Sequence, residues 1–509
     1  MGFWGLIIKG ANFVLGFAKK IKRFSGFVSF IVSVVDGDLM LESAEHHPAY
    51  DELVSISGEE NVRDGKLDLL AYSRDASPFQ FDSPGVIVRP GCTEEVAEIM
   101  RVANSKKIPV VAVGARSSIN GAPLPRVSGA IMLDLTRMDY LREVDEDTMT
   151  VTVGAGLRWA ELIHLLKEKG FKLGFRGPYG GNAGTVGGSL SGNSIGCGAS
   201  RWGGACDSVV GLEVVLPTGE IIRTGSGWNP GSKVFARYST FNDLTGLFLG
   251  DHGTLGVKTE VTLKVYYTPG GVAFADYGFE SIEDCAKVMH ELQRRKLAEE
   301  LVLLGDKNSI ELLANSYLDF WSGLECILAV IIEEEDEELA NRKKEIVDRI
   351  AKRDGRSLGT FLSKAHWTDM FNMVQPLFDS GFWYNTCHLR PISTLPETVK
   401  GALKIFEKYD VKGRGMNWII SALGVDRSYC TGWITLFMGP SENRELMEKV
   451  WGELKQLELS TGGAVPYWCG PLWERECLSR VSPAFHNLLR KIKGVLDPNN
   501  ILHPMVFGL

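Results

Sequence analysis

Four features are scarce or missing in this 509-residue chain, and each absence removes a class of protein. Its nine cysteines (Cys92, Cys197, Cys206, Cys285, Cys326, Cys387, Cys430, Cys469 and Cys477) are odd in number and include no C-x-x-C pair. That argues against a zinc knuckle, an iron–sulfur ligand run or a disulfide scaffold, and it fits a reducing cytoplasm. No G-x-G-x-x-G follows a first strand with an acid about twenty residues on, and no Walker lysine pattern is present, so nicotinamide and nucleoside-triphosphate chemistry start low. With 55 Lys and Arg against 63 Asp and Glu the net charge is −8, which speaks against nucleic acid as a partner. Nor is there a run of about twenty apolar residues to cross a membrane.

What is present suits a globular chain of two or three domains, 44% apolar and 23% charged. The charge is uneven. Residues 1–35 carry Lys9, Lys19, Lys20, Lys22 and Arg23 with no acid, interleaved with Phe3, Trp4, Ile7, Val14, Phe17 and Phe24 near helical spacing. Charge after the apolar run is the wrong order for a signal peptide. The segment over 1–40 is expected to be an amphipathic helix at a membrane surface, its cations toward anionic headgroups, or else docked on a partner subunit.

Glycine is concentrated in Gly180–Gly204, where ten of 25 residues are glycine and no helix or strand period appears. Glycine is used where the backbone reaches φ > 0 or approaches something closely, and runs of exposed N–H groups hold phosphate oxygens. The run leads into Val209–Gly225, two apolar stretches around a Pro-Thr-Gly turn that read as a hairpin. A ligand loop fused to a rigid hairpin explains this better than a linker. Upstream, Thr93 reads as the N-cap of a helix burying Val96, Ile99, Met100 and Ala103. A short strand, Pro109–Val113, then empties into Gly114–Gly121, small and polar with one arginine.

Taken in order, these segments resemble the flavoproteins of the vanillyl-alcohol oxidase and p-cresol methylhydroxylase superfamily, which also holds the glycolate oxidase and D-lactate dehydrogenase flavin subunits. The matching residues are Val86–Pro90 with Thr93–Val96, Pro109–Gly114 with Asn120 and Gly121, Met132–Leu135, Val151–Gly156, Gly184–Gly188, Leu212–Leu216 with Gly219, Gly253–Gly256 and Leu496–Leu502. The resemblance implies an α+β chain: a two-lobed FAD-binding domain of this type over 41–268, a substrate (cap) domain over 269–477 with an antiparallel sheet covered by helices, and a return to the FAD domain over 478–509. It implies FAD held by Val113, Gly114, Ala115, Arg116, Ser117, Ser118, Asn120, Gly121, Pro178, Gly184, Thr185, Gly187, Gly188, Gly192, Asn193, Gly198, Trp202, Gly253, Gly256 and Val257. Arg116 stands where some relatives carry a flavin-linking histidine. His252 replaces the usual glutamate in Gly250–Gly253.

The later part of the chain alternates long helices with strands, as a helix-covered sheet requires. Helices are expected over 281–296, 335–352, 394–409 and 442–459, with strands over 326–332 and 431–438. The acidic run Glu333–Glu338 reads as a solvated helix start. Glycolate and lactate members carry a metal-holding H-x-G-D-G-N-x-H stretch and a later E-H-G; the matching stretches here, 417–424 and 462–469, contain neither histidine nor carboxylate. No catalytic metal is therefore expected. Tyr467 matches the tyrosine of the aryl-alcohol branch, with Trp468 in place of its arginine, and Trp418, Trp433 and Trp473 suggest an aromatic, largely apolar pocket. Oxidising an alcohol or amine needs hydride transfer to flavin and an acceptor for the other proton. Tyr467, His388 (base or flavin anchor), Tyr384 (anchor) and Arg390 (clamp for an anion) are the candidates. Each also has an ordinary structural explanation as a buried polar side chain.

These residues lead to an FAD-dependent oxidoreductase acting on a small alcohol- or hydroxy-acid-type substrate. It would pass electrons to a protein or quinone and lie on the cytoplasmic side of a membrane. A flavin-binding assembly subunit without chemistry of its own, or a non-redox enzyme of the ether-lipid synthase type, are the other readings.

Overall fold

Three sheets, each built from consecutive stretches of chain, organise the computed structural model, which describes residues 46–75, 77–313, 323–371, 383–437, 443–467 and 470–509. The expected membrane segment over 1–40 and Trp468 lie outside the described residues. Residues His47–Leu509 form one unit, and no helix among the described residues is long and apolar enough to cross a membrane.

The first sheet is small. Strands β1 (Val62–Arg63), β2 (Val86–Val88), β3 (Val110–Val113) and β4 (Ile131–Asp134) lie in the order β1-β2-β4-β3, with β4 parallel to both β2 and β3. Helix α1 (Thr93–Lys106) covers it, burying Val96, Ile99, Met100 and Ala103. Cys92, rather than Thr93, is the N-cap residue. Thr93 sits one position inside the helix and donates its hydroxyl to Glu213 Oε1 at 2.7 Å, so a buried carboxylate takes the bond that capping would have used.

In the second sheet β5 (Leu141–Asp145), β6 (Thr150–Gly154), β10 (Val257–Tyr267), β8 (Val209–Val215) and β9 (Ile221–Arg223) pair in that order, and β7 (Phe171–Leu173) joins β10. The β8–β9 hairpin is the one expected from Val209–Gly225. Its turn needs Gly219, which has φ +82° and whose Cβ would stand 2.8 Å from Ala97 O of α1. Between β7 and β8 the glycine-rich run forms two short helices, α3 (Val186–Ser191) after α2 (Trp159–Glu168), and then Ala199–Trp202.

The third sheet is antiparallel throughout, in the order β14-β11-β13-β12-β16-β17-β15-β18. Its strands are β11 (Gly271–Phe279), β12 (Glu300–Gly305), β13 (Cys326–Glu334), β14 (Arg356–Gly359), β15 (Trp383–Pro391), β16 (Asn417–Val425), β17 (Tyr429–Phe437) and β18 (Val465–Pro466). Helices α4 (Ile282–Arg294), α5 (Glu337–Ala351), α7 (Leu395–Lys408) and α8 (Arg444–Ser460) bury one face of it; α6 (Phe361–Thr368) lies on the other. Successive strand residues point to opposite faces. Leu328 and Val330 of β13 therefore join the helix-side core, while Ile327 and Ala329 face the other way with Leu304, Leu362 and Ile419.

The acidic run is solvated over Glu335–Glu338, as expected, but not at its start. Asp336 caps α5 by accepting the N–H of Leu339 at 2.8 Å, but Glu333 is buried at the end of β13. The chain ends beside the first sheet, where α9 (Pro483–Leu496) is followed by a segment bridged to β3: Val110 N–H donates to Ile501 O at 2.7 Å. Lys493 ties this return to the glycine loops, donating to Thr254 O at 2.8 Å and to Leu502 O at 2.7 Å.

Candidate active site

A cavity of about 340 Å³ opens between the glycine loops and the third sheet, within the range of small-ligand pockets. One wall is made by the end of β3 with the loop after it (Ala112–Asn120), parts of the 178–195 run, the turn into β10 over 252–258, and His503. The facing wall is the α6 side of the third sheet, with Val302, Leu304, Ala329, Asn385, Ile419, Ser421, Trp433 and Thr435, and Leu362 and His366 from α6.

The glycines of the first wall fall into two groups. At Gly114, Gly187 and Gly256 a Cβ would strike Thr185 Oγ1 at 2.2 Å, Ala155 Cβ at 2.7 Å and Val214 Cγ1 at 2.4 Å, so these keep the loops packed on the scaffold. At Gly180, Gly192 and Gly253 the nearest protein atoms would be 4.0, 3.6 and 4.0 Å from a Cβ. There glycine keeps space free for a ligand. This is a cradle a side chain would fill, and it fits a pyrophosphate-bearing cofactor such as FAD. Of the candidate cofactor residues, Val113, Gly114, Ala115, Arg116, Ser117, Ser118, Asn120, Pro178, Gly184, Thr185, Gly187, Gly188, Gly192, Gly253, Gly256 and Val257 line the cavity.

Gly121, Asn193, Gly198 and Trp202 are not among its lining residues. Gly121 donates its N–H to Asp75 Oδ2 at 2.9 Å, and Asn193 has φ +47° at a turn of the loop. Gly198 donates to Glu300 Oε2 at 3.3 Å, and the Trp202 indole to Glu299 Oε1 at 2.6 Å. These last two hold the loop against the third sheet. Lys172 reaches Glu299 Oε1 at 2.8 Å and also contacts Glu333, and Arg201 donates to Glu333 O at 3.2 Å. Burial, reinforced by the neighbouring Glu299 charge, lifts the Glu333 carboxyl to about 7.

His252 and His503 both line the first wall, and His503 Nδ1 pairs with the His252 carbonyl at 2.9 Å. Burial is the main cause that holds His252 down at about 3 and His503 at about 4, so both imidazoles are neutral. Beside them Lys258 pairs with Asp251 at 2.7 Å, both side chains buried. Arg116 stacks on the Tyr72 ring 3.7 Å from its centroid and donates to Ala71 O at 2.6 Å.

On the third sheet the alternation of β15 decides which side chains meet the cavity. Asn385 does; Tyr384, His388 and Arg390 lie on the opposite, helix-covered face. Tyr384 packs edge-on against Trp451 at 5.3 Å. His388 Nδ1 lies 2.8 Å from Glu458 Oε2 without the alignment of a hydrogen bond. The cross-strand partner Gly432 is small because a Cβ there would be 2.5 Å from His388 Nε2. Arg390 donates to Thr394 O at 3.1 Å, to Glu458 O at 3.2 Å and to Thr398 Oγ1. None of the three reaches the cavity. Tyr467 is buried behind the cavity wall, its oxygen accepting the N–H of Ile195, which does line it. Of the tryptophans, Trp433 lines the cavity; Trp418 stacks on Phe406 at 4.5 Å in the helix-side core, and Trp473 is buried elsewhere.

Asn385, Ser421, Thr435, His366 and Tyr179 line the cavity without having been singled out in the sequence. His366 is the most connected. Its Nε2 contacts Glu300 Oε1 and lies 3.8 Å from Cys197 Sγ, in a fully buried group drawn from α6, β12 and the glycine loop. His366 is 66 positions from Glu300 and 169 from Cys197, so no local spacing announces the group.

Two family descriptions match the chain: the FAD binding domain over residues 84–225, and the C-terminal domain of FAD linked oxidases over 268–506. Together with the cradle, these two domains make the chain an FAD-linked oxidoreductase. The chain is 25% identical over 463 residues to glycolate oxidase subunit GlcD of Bacillus subtilis (strain 168), covering 89% of this chain and 95% of the relative. It is 33% identical over 227 residues to D-lactate dehydrogenase of Anaerostipes hadrus, covering 45% and 46%. Among solved structures, p-cresol methylhydroxylase with substrate bound superposes with a TM-score of 0.78 at 18% identity, over 91% of this chain and 96% of that one. An alkyldihydroxyacetonephosphate synthase gives 0.73 at 19% identity, over 90% and 85%.

Proposed function

We propose that this chain oxidises a small, uncharged alcohol-type substrate seated between the glycine loops and the third sheet, and passes the electrons on to a protein or quinone acceptor. FAD on the first wall would supply the hydride acceptor. The observation that carries the reading is the makeup of the facing wall. Asn385, Ser421 and Thr435 offer amide and hydroxyl groups, Trp433 offers a ring face that meets Tyr179 of the first wall, and no Lys or Arg of the third sheet lines the cavity among the described residues. An anionic substrate seated against that wall would find no cation on it, Arg116 and Lys258 lying on the opposite wall, and burying an unpaired carboxylate is costly. A neutral one exchanges water for hydrogen bonds to three uncharged side chains and buries apolar area against the rings. Asn385 orients the substrate, and the aromatic pair Tyr179–Trp433, 5.9 Å apart and edge-on, excludes water.

The test is anaerobic bleaching of the flavin by a panel of primary alcohols, aryl alcohols, glycolate and D-lactate, with product analysis. A neutral alcohol should bleach it, and Asn385→Ala should slow that reduction about tenfold or more while the protein stays fully loaded. Reduction by D-lactate or glycolate alone would assign the chain to hydroxy acids instead. Product formation without net bleaching would favour the non-redox reading. The apolar, five-cation segment over residues 1–35 supports attachment to the cytoplasmic face of a membrane. Removing residues 1–40 should then release a soluble protein that keeps its flavin, and persistence of the shortened chain on membranes would defeat this reading.

A further inference from the structure

The buried group at the seam between the glycine-rich loop and the third sheet has a chemistry that flavin binding does not use. Cys197, Glu300 and His366 offer a thiol, a carboxylate and an imidazole whose ligand atoms all lie within 4.8 Å of one another. Each comes from a separately braced element. Cys197 is fixed at both backbone atoms, its N–H donating to Gly177 O at 3.0 Å and its carbonyl accepting from Arg176 at 2.8 Å. Glu300 spends Oε2 on the N–H of Gly198 and turns Oε1 to the centre. His366, in α6, packs edge-on against Tyr179 at 5.5 Å.

A single imidazole nitrogen either donates one proton or accepts one. His366 Nε2 is nevertheless the shared neighbour of both the Glu300 oxygen and the Cys197 sulfur. With Nε2 donating to the carboxylate, the thiol has the same Glu300 carboxylate as its acceptor; release of those two protons would leave sulfur, oxygen and nitrogen facing one point. A cation satisfies all three at once. The 3.8 Å from sulfur to nitrogen is close to the roughly 3.6 Å that separates thiolate and imidazole ligands on a tetrahedral zinc. The carboxylate and imidazole stand closer than two ligands of one ion, and would part on its entry.

We propose that Cys197, Glu300 and His366 form a binding site for one divalent cation of the zinc type, the class that accepts mixed sulfur, nitrogen and oxygen ligands. With thiolate and carboxylate balancing a double charge, such a site is close to neutral, and it ties α6, β12 and the glycine loop at a single point. It differs from the two stretches, 417–424 and 462–469, whose lack of histidine and carboxylate suggested no catalytic metal.

The experiment uses the full-length, flavin-loaded protein, stripped with a chelator and then titrated with Zn2+ or Co2+. Expected are one retained equivalent of zinc and a visible Co2+ d–d band of tetrahedral intensity, at wavelengths beyond the flavin absorption. Cys197→Ser should change that band, and both Cys197→Ser and His366→Gln should weaken Zn2+ binding by more than about tenfold with flavin content preserved. The Co2+ spectrum of the unmutated protein reports sulfur ligation even where a variant fails to fold. Zinc retention well below one equivalent with no tetrahedral band, or a band unaltered in both variants, would overturn the proposal.

Discussion

The cofactor wall and the substrate wall of the cavity carry their chemistry in opposite ways. On the cofactor wall it resides in the backbone: what matters at Gly180, Gly192 and Gly253 is that no side chain is there. On the substrate wall it resides in side chains that a strand presents alternately to two faces, so that Asn385 meets the cavity and Tyr384, His388 and Arg390 do not. The first kind of wall tolerates almost no addition. The second tolerates change on its far face, at a cost in stability rather than in chemistry.

The sharpest way to break this comparison is at Gly188, which lines the cavity and whose Cβ would stand 3.0 Å from Thr185 Oγ1. Gly188→Asp should yield folded protein with no bound flavin, read as the loss of visible absorbance per protein. Full retention of flavin would show that the backbone cradle is elsewhere.

Next in size is His388→Leu, which removes the partner of the Oε2 atom of the fully buried Glu458 and leaves Thr386 on Oε1. Stranding a buried carboxylate costs about 3 kcal/mol or more, measurable as a fall in the denaturant midpoint. Flavin content and reduction rate should hold in the protein that remains folded. A selective loss of reduction with unchanged stability would bring His388 back to the chemistry.

These two cases also show what the sequence made legible. Glycine density and order are visible in one dimension, because a backbone cradle is contiguous in the chain; most of the cofactor wall was read that way. Four helices of the second half, α4, α5, α7 and α8, were legible in the sequence; α6 and α9 were not. The substrate wall was not, because choosing between His388 and Asn385 needs the face on which the core lies, and β15 is polar on both faces. Cys197, Glu300 and His366 were hidden for another reason: each is unremarkable locally, and only the packing of α6 on β12 joins them.

A smaller effect is expected at Tyr467, whose oxygen accepts the buried N–H of Ile195. Tyr467→Phe leaves that donor unpaired, at about 1–2 kcal/mol. It should appear mainly as weaker flavin retention, because the loop it braces is the cofactor's. A large fall in the reduction rate at full flavin occupancy would instead make it a residue of the substrate wall.

The smallest effect concerns pH and lies between the walls. Glu333, lifted to about 7, holds a proton in the folded protein that the unfolded chain releases in the ordinary carboxylate range. Its stabilisation is fully present below that range and lost as pH rises through 7. Between roughly pH 6 and 8 the protein should lose about 1 kcal/mol of stability, and Glu333→Gln should flatten that decline. An identical pH profile in the variant would mean that Lys172 keeps Glu333 ionised throughout.

The seam itself has a consequence for assembly. Arg201 and Trp202, from the glycine-rich run that also lines the cavity, and Lys172 of β7 beside them grip Glu299 and Glu333 at the third sheet. Two equilibria that share one loop are linked, and linkage is reciprocal: whatever factor the docked sheet adds to cofactor affinity, the bound cofactor returns to docking. Loading the cofactor is then the step that matures the enzyme. A chain still waiting for it is the more open one, and the better substrate for a protease.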